Sequence, residues 1–531
     1  MPKWLEDAVF YEIYPQSFFD ANGDGIGDFE GIIQKLDYIR DLGCNALWIN
    51  PCFDSPFKDA GYDVRDYKKA APRYGTNDDL RRLFGEARKR GVRVLLDLVP
   101  GHTSEEHPWF VESCRAEPNE YWNRFIWTDH CFKRAQGLGF IGGETERAAT
   151  YVINFFKCQP ALNFGFLKPT ESWQLAMDHP DSVATREAIK DVMRFWLDAG
   201  CDGFRVDMAG SLVKGDDEKK SGTQALWRNI RTMLDAEYPE AAIISEWSYP
   251  KQSIPGGFHM DFFLDFADNR GGYRSLFRNY DLDIRNNIQG DDASFFKAPG
   301  KGDIRLFLDE YLDQYQATKD AGYISLVTGN HDVVRLAYTL SPRELALAYG
   351  FIFTMPGVPF LYYGDEIGMR YLNLPTKEGG YYRTGSRTPM QWKPGKNLGF
   401  SGAGADKLYL PVDPSPEAPT VEAQEKDPGS LLSTVKALLK LRHGNPDLRS
   451  KPNLEILYPE KNTPRGRTPF VYRRGAFLAA VNPGAAPASV RLKGAGPAKA
   501  VYAIGDCGLD GDTCRMGGQS FGLWSVETQG H

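Results

Sequence analysis

The sequence predicts an α/β protein: a (β/α)8 barrel, with a small domain inserted after its third strand and an antiparallel β-domain at the C-terminal end. Three observations predict it. Apolar strand-like runs alternate with helical patterns over most of the 531 residues, a long aromatic-rich stretch interrupts that rhythm once, and near residue 450 the pattern changes to short β-type runs between turns.

Residues 9–18 read as the first strand, with an amphipathic helix over 31–42 behind it. The second strand falls at 46–50 and is followed by a helix at 77–90. Residues 92–99 (VRVLLDLV) are apolar nearly throughout, as a parallel strand covered on both faces should be. The rhythm resumes with a helix at 184–199 and a strand at 203–208. Further strands are expected at 242–247, 258–266, 324–329 and 359–363, which makes eight. The stretch 104–172, containing YWNRFIW and NFFKCQPALNFGF, is too long for an ordinary βα loop and predicts an inserted domain. The barrel is then drawn from 1–103 and 173–450. After a helix at 431–442, β-type runs such as 470–473 and 476–481 alternate with Gly/Pro/Asn turns and assign 451–531 to a β-sandwich. Residues 413–429 form a Pro/Glu-rich loop, and there is no internal repeat.

The net charge of -7 is spread along the chain without a Lys/Arg stripe, which argues against nucleic acid as a partner. Aromatic residues make up 13%, enough to serve sugar-ring stacking as well as core packing. The first residues lack an apolar run behind a basic start, and no later stretch is long enough to span a bilayer. Eight cysteines in a chain of this size do not make a disulfide scaffold. Cys44, Cys52 and Cys201 lie in or beside apolar runs and read as buried thiols; Cys507 and Cys514 alone are placed to pair. A reducing cytoplasm is the expected location.

In such a barrel the reactive groups stand where strands end and loops begin. Asp207 closes the strand GFRVD, two residues after Arg205, so both side chains point into the barrel mouth on one side. Glu246 closes IISEW, His331 and Asp332 follow another strand in TGNHDVVR, and His102 follows DLVPG. Each signal alone is weak, and an Arg–Asp pair is as easily structural. Polar groups at four strand ends of one barrel nevertheless converge on one cavity. Two carboxylates flanking a glycosidic bond serve as nucleophile and acid/base, and a third holds charge on the substrate or keeps the acid protonated.

DLVPGH (97–102), GFRVD (203–207), SEW (245–247) and NHD (330–332) resemble, in order, the four signature regions of glycoside hydrolase family 13, the α-amylase family. QPALN (159–163) and GVPFLYYGDE (357–366) extend the resemblance to essentially the whole chain. It implies Asp207 as nucleophile, Glu246 as general acid/base and Asp332 as the third carboxylate, gripping the sugar's 2- and 3-hydroxyls. Arg205, His102 and His331 would line the subsite of the reacting glucose, and Asp97 would be structural. VFYEIYPQSF (9–18), DANGDGIGD (20–28), KDAGYD (58–63) and RTPMQW (387–392) resemble the oligo-1,6-glucosidase, α-glucosidase and trehalulose synthase branch. There the resemblance implies that Asp59 and Arg335 grip the non-reducing end as an ion pair and that Tyr62 stacks on the ring.

Asp20, Asn22, Asp24 and Asp28 place oxygen ligands at even spacings, with Gly25 allowing a sharp turn, although Gly31 at the twelfth position excludes a true EF-hand. Together with the resemblance this implies a structural Ca2+ or Mg2+, the carbonyl of Ile26 completing the shell, and no organic cofactor. The family's usual Asn before the first His is Gly101 here, and the usual Asp of QPDLN is Ala161. In many amylases that Asn ligates a calcium between barrel and inserted domain, so the resemblance does not extend to a second calcium. Met208 after the nucleophile leaves the linkage undecided. The expected activity is that of an exo-acting, retaining α-glucosidase or transglucosylase on short α-glucosides. A sugar isomerase of the trehalose or trehalulose synthase kind is the alternative, and a non-catalytic barrel is a distant third.

Overall fold

The protein is described by a computed structural model covering residues 1–135, 137–264, 271–299, 301–379, 382–459, 469–492 and 496–526. Eight parallel strands form the barrel: β1 (Phe10–Ile13), β2 (Ala46–Ile49), β3 (Arg93–Leu98), β4 (Gly203–Val206), β5 (Ala242–Ser245), β6 (Met260–Phe262), β7 (Tyr323–Ser325) and β8 (Phe360–Tyr362). From β1 to β7 each pairs in parallel with the next in chain order, and β8 pairs with β1. The ring is completed just beyond β7, where Phe360 N–H donates to Leu326 O and Thr328 N–H to Phe360 O, both at 2.9 Å. All eight expected strands are present, each shorter than the apolar run that announced it, because the run continues into the buried loop that follows. Pro15 ends the first early by opening a short helix, Pro15–Phe18. Residues 265 and 266 of the expected sixth strand lie outside the described residues.

The helices follow their sequence signals with shifted ends. The helix expected at 31–42 starts earlier, because the Asp28 side chain accepts from Gly31 N–H as an N-cap, and it breaks at Lys35 into Phe29–Gln34 and Leu36–Leu42. Asn77–Lys89 is opened by a reciprocal Thr76/Asp79 capping box. Pro180–Ala199 starts at a proline, as an N1 position permits, and stops at Gly200, whose φ of 111° few other residues adopt.

Inside the barrel the rings of Phe10, Trp48, Phe262 and Phe360 pack on one another. Phe10 and Phe360 stack at 4.3 Å, and Phe262 lies 4.8 Å from Phe360 and 5.3 Å from Trp48. This dry layer is the floor on which the polar strand ends stand. The insert carries an antiparallel hairpin, Gly139–Gly142 with Thr150–Ile153, over a small cluster of Ile126, Ala135, Val152, Ala161 and Phe166. At the C-terminal end, a five-stranded and a three-stranded antiparallel sheet enclose Val471, Leu478, Cys514, Met516 and Trp524. Cys44, Cys52 and Cys201 are buried thiols, and Cys507 and Cys514 are both free. No helix among the described residues is long and apolar enough to cross a membrane.

Gly203 opens β4 at φ 142°, and a Cβ there would lie 1.9 Å from Ala242 O in the adjoining strand. Gly203→Ala should therefore break the β4–β5 seam and cost about 2–4 kcal/mol, from backbone strain and a forced separation of the strands. Thermal or urea unfolding of the variant checks this; a wild-type midpoint would contradict the seam's geometry.

Candidate active site

The strand ends converge on one cavity of about 420 Å3. Asp207 and Met208 enter it from the end of β4, Glu246 from β5, and Asn330, Asp332 and Val333 from the loop after β7. His102 follows β3, Asp59 and Tyr62 follow β2, Phe155 and Phe156 come from the insert, and Arg383 comes from the long segment after β8.

Beneath one wall lies Arg205, whose side chain is only 2% exposed. Its Nη1 donates to Asp97 Oδ1 at 2.8 Å and to Asp207 Oδ1 at 3.0 Å, and its Nη2 meets Glu246 Oε2 at 2.8 Å. Asp97 also accepts from Trp48 Nε1 and from the Tyr62 hydroxyl, both at 3.1 Å, so it is enclosed by three donors. Met208 turns the chain sharply at φ 42°, and its N–H donates to Glu246 Oε2, 3.0 Å away. A non-glycine residue held there is strained. Glu246 is further steadied from β6. Buried Asp261 accepts from the N–H groups of Trp247, Ser248 and Tyr249 and from Ser245 Oγ, fixing the loop that bears Glu246.

Burial raises Asp207 to about 6, opposed by Arg205 and reinforced by Asp97. Burial raises Glu246 to about 7, opposed by Arg205 and reinforced by Asp207 and Asp332. Asp332 goes the other way. Burial alone would raise it, but His331 Nε2 at 3.3 Å and the guanidinium groups of Arg383 and Arg387, each 2.9 Å from Oδ1, hold it well below the usual carboxylate range. His331 in turn has Glu12 Oε1 2.7 Å from Nδ1 and the Tyr62 hydroxyl 2.6 Å from Nε2. Burial lowers its pKa, but Asp332 and Glu12 outweigh that and raise it to about 9, so His331 is cationic at neutral pH. His102 is held neutral, lowered by burial to about 4. Three carboxylates of one cavity are thus shifted in different directions by their surroundings.

The structure corrects one expected pair. Arg335 does not reach Asp59: its side chain is fully buried and donates to Asp365 Oδ1 at 2.9 Å and to Tyr363 O at 2.8 Å. The cation at Asp59 is Arg383, which bridges Asp59 to Asp332, while Gln159 Nε2 donates to Asp59 Oδ2 at 2.6 Å. Tyr62 lines the cavity and stacks against His331 with ring centroids 5.4 Å apart. Arg383, Arg387, Glu12 and Asp261 were not read as site residues from the sequence. Arg387 lies inside the RTPMQW stretch, so its position was marked although its role was not.

The loop 20–28 folds back on itself. Asp20 accepts from Gly23 and Gly25 N–H, Asn22 Oδ1 from Asp24 N–H, Asp24 Oδ1 from Ile26 N–H, and Asp28 Oδ2 from Ala21 and Asn22 N–H. Its donor set is all hard oxygen, the chemistry that suits Ca2+ or Mg2+. Among the described residues no three acidic, His or Cys side chains gather closely enough to hold an ion by themselves. The fit therefore depends on Asn22 and on the carbonyl of Ile26.

The sequence profile of the alpha-amylase catalytic domain matches residues 12–451. Trehalose synthase/amylase TreS of Mycobacterium tuberculosis (strain ATCC 25618 / H37Rv) is 32% identical over 494 residues, covering 84% of this chain and 76% of that protein. Oligo-1,6-glucosidase of Heyndrickxia coagulans is 31% identical over 521 residues, covering 87% and 88%. The crystal structure of trehalulose synthase MutB from Pseudomonas mesoacidophila MX-45 superposes with a TM-score of 0.80 over 99% of this chain and 100% of that one. Its sequence is 23% identical, so that likeness speaks to the fold alone.

The two arginines should separate in experiment. Arg335→Ala removes the guanidinium bonded to buried Asp365, leaving it Thr328 and the nearby Arg278, and should cost about 3 kcal/mol of stability. Arg383→Ala should lower the melting temperature less and the activity far more, since Asp332 keeps Arg387 and His331, and Asp59 keeps Gln159. Melting curves and turnover of both variants check this; a catalytic defect in Arg335→Ala with normal stability would reverse the assignment.

Proposed function

The chain belongs to the α-amylase family of glycosidases, and from that premise we propose that it is a retaining, exo-acting α-glucosidase that hydrolyses or transfers terminal glucose from short α-glucosides. The observation that carries this reading is the pair Asp207 and Glu246 on the two terminal nitrogens of one guanidinium. That shared grip keeps the two carboxyl groups close, as the retaining spacing of about 5–5.5 Å requires.

Asp207 is the nucleophile: Arg205 favours its ionised form, and attack on the anomeric carbon forms a glycosyl-enzyme while the glycosidic bond breaks. Glu246, raised to about 7, gives its proton to the departing oxygen, then takes one from the water or sugar hydroxyl that releases the glucose. Asp332, ionised throughout, accepts hydrogen bonds from the 2- and 3-hydroxyls beside cationic His331, and neutral His102 with Tyr62 completes the wall around the ring. Asp59 and Arg383 take the place given above to Asp59 and Arg335. They present an acceptor and donors to a terminal hydroxyl, and a continuing chain would leave both charges desolvated without partners, at several kcal/mol. A cavity of about 420 Å3, toward the small end of ligand sites, supports short substrates over polymers. Two of the structural neighbours hold disaccharides, MutB mutants in complex with isomaltulose and with sucrose.

The trehalose synthase relative supports a second reading, in which the glycosyl-enzyme is re-linked to the retained sugar. Product analysis separates the two: glucose against an isomeric disaccharide. A divalent ion on the 20–28 loop belongs to the same proposal, with residues Asp20, Asn22, Asp24, Ile26 and Asp28 as its holders and stability as its effect.

Maltose, isomaltose, sucrose, trehalose, kojibiose and nigerose should include a good substrate, and starch should be a poor one. NMR should show the α-anomer of glucose first, and Asp207→Ala should abolish turnover while folding normally. Early maltooligosaccharides from starch, or initial β-glucose, would defeat the reading. The pH dependence of kcat/KM should be a narrow bell, because activity needs Asp207 ionised and Glu246 protonated. It should fall on the acid side near about 6 and on the alkaline side near about 7, as macroscopic values of a coupled pair. A profile flat from about pH 5 to 8 would contradict these roles. Chelation should lower the melting temperature and leave initial rates at low temperature nearly unchanged. A melting temperature indifferent to chelator and added calcium, with no divalent ion by elemental analysis, removes the metal.

A further inference from the structure

Gly101, immediately before His102, stands where a side chain is excluded for a specific reason. A Cβ on Gly101 would lie 2.7 Å from Nδ2 of Asn154, which reaches in from the insert. That same Nδ2 is 3.2 Å from His102 Nδ1, and Asn154 Oδ1 is 3.1 Å from Lys214 Nζ. Lys214 belongs to the loop after β4, and its ammonium also donates to Ser211 O at 2.9 Å.

These contacts determine the direction of every proton. A lysine ammonium only donates, so the Asn154 atom facing it is the carbonyl oxygen, and the atom facing His102 is the amide nitrogen. The amide donates in turn, so His102 Nδ1 is the acceptor and the ring proton sits on Nε2, 3.0 Å from Tyr62 O, which accepts it. One ring nitrogen is thus tied to the insert and the other to the loop that carries Asp59 and Tyr62. The turn bearing Asn154 is itself closed, its N–H donating to Gln159 O at 3.2 Å. Gln159 holds Asp59, so one turn of the insert steadies two separate walls of the cavity.

We propose that Asn154, oriented by Lys214 and admitted by the missing side chain at Gly101, is a positioning residue that sets the tautomer and ring plane of His102 for sugar binding. The catalytic consequence rests on the glucosidase reading above; the tautomer does not.

Long-range proton–nitrogen NMR of histidine-labelled protein should show His102 as the Nε2–H tautomer, with its signal identified by loss in His102→Gln. In Asn154→Ala the tautomer preference should relax. In Asn154→Asp the new carboxylate should draw a proton onto Nδ1, and the acid limb of kcat/KM should move upward. With p-nitrophenyl α-D-glucoside both variants should lose about 10- to 100-fold in kcat/KM, at a melting temperature close to wild type. Gly101→Ala should harm the protein containing Asn154, yet add nothing to Asn154→Ala, because the clash partner is gone. An unchanged His102 tautomer in Asn154→Ala, or additive losses in Gly101→Ala/Asn154→Ala, overturns the proposal. Should the wild type cleave no α-glucoside, the glucosidase reading fails while the NMR result still decides the role of Asn154.

Discussion

Everything at the cavity depends on how one buried guanidinium is shared. Arg205 meets Asp97, Asp207 and Glu246 at 2.8–3.0 Å with almost no access to water. Three carboxylates desolvated around one cation are over-supplied with negative charge, and such a cluster persists only where every ion keeps a partner. The barrel meets that condition by bringing β3, β4 and β5 side by side, so that three strand-end acids fall within reach of one arginine. The surplus is not removed but redistributed: burial pushes Asp207 and Glu246 upward, and Glu246, with Asp207 and Asp332 as neighbours, goes higher. Glu246 is therefore partly protonated at neutral pH, chiefly because it is buried and further because Asp207 and Asp332 stand near it.

The opposite wall solves the complementary problem. Asp332 has two guanidinium groups and a cationic imidazole, an excess of positive charge that keeps it ionised. Glu12, buried on β1 inside the barrel, sits behind His331 and stabilises its charge. The two walls of one cavity thus shift carboxyl groups in opposite directions, Asp207 and Glu246 upward and Asp332 downward. Between them the aromatic floor of Trp48, Phe262 and Phe360 keeps water from beneath the charges and so strengthens each interaction.

The insert is coupled to this arrangement through polar contacts as well as by covering the mouth. Its turn at 154–159 carries an amide to His102, an amide to Asp59 and two phenylalanines to the cavity. Rigid-barrel acids with a loop-borne rim is the usual division of labour in this architecture, with chemistry on strand ends and selectivity on connecting segments.

The sequence by itself determined the barrel and the acids. Alternating apolar runs predicted all eight strands in position, and Asp207, Glu246, Asp332 and His102 were legible because a closed parallel barrel forces strand ends to one mouth whatever the loops do. The short range of these signals is the reason they survive: Asp207 and Glu246 stand one residue beyond their strands, and His102 and Asp332 stand in the loops that directly follow theirs. The cation partners were decided by tertiary structure alone. Arg383 and Arg335 are both arginines in loops of the same half of the chain, and no local pattern separates the one that meets Asp59 from the one that meets Asp365. Ion pairing depends on distance between segments that are 30 residues apart for Arg335 and Asp365 and 324 for Arg383 and Asp59, and long irregular loops carry no periodicity from which that distance can be read. Gly101 shows the same boundary from the other side. The sequence marked it as a departure, but only packing revealed that the space it leaves is filled by Asn154.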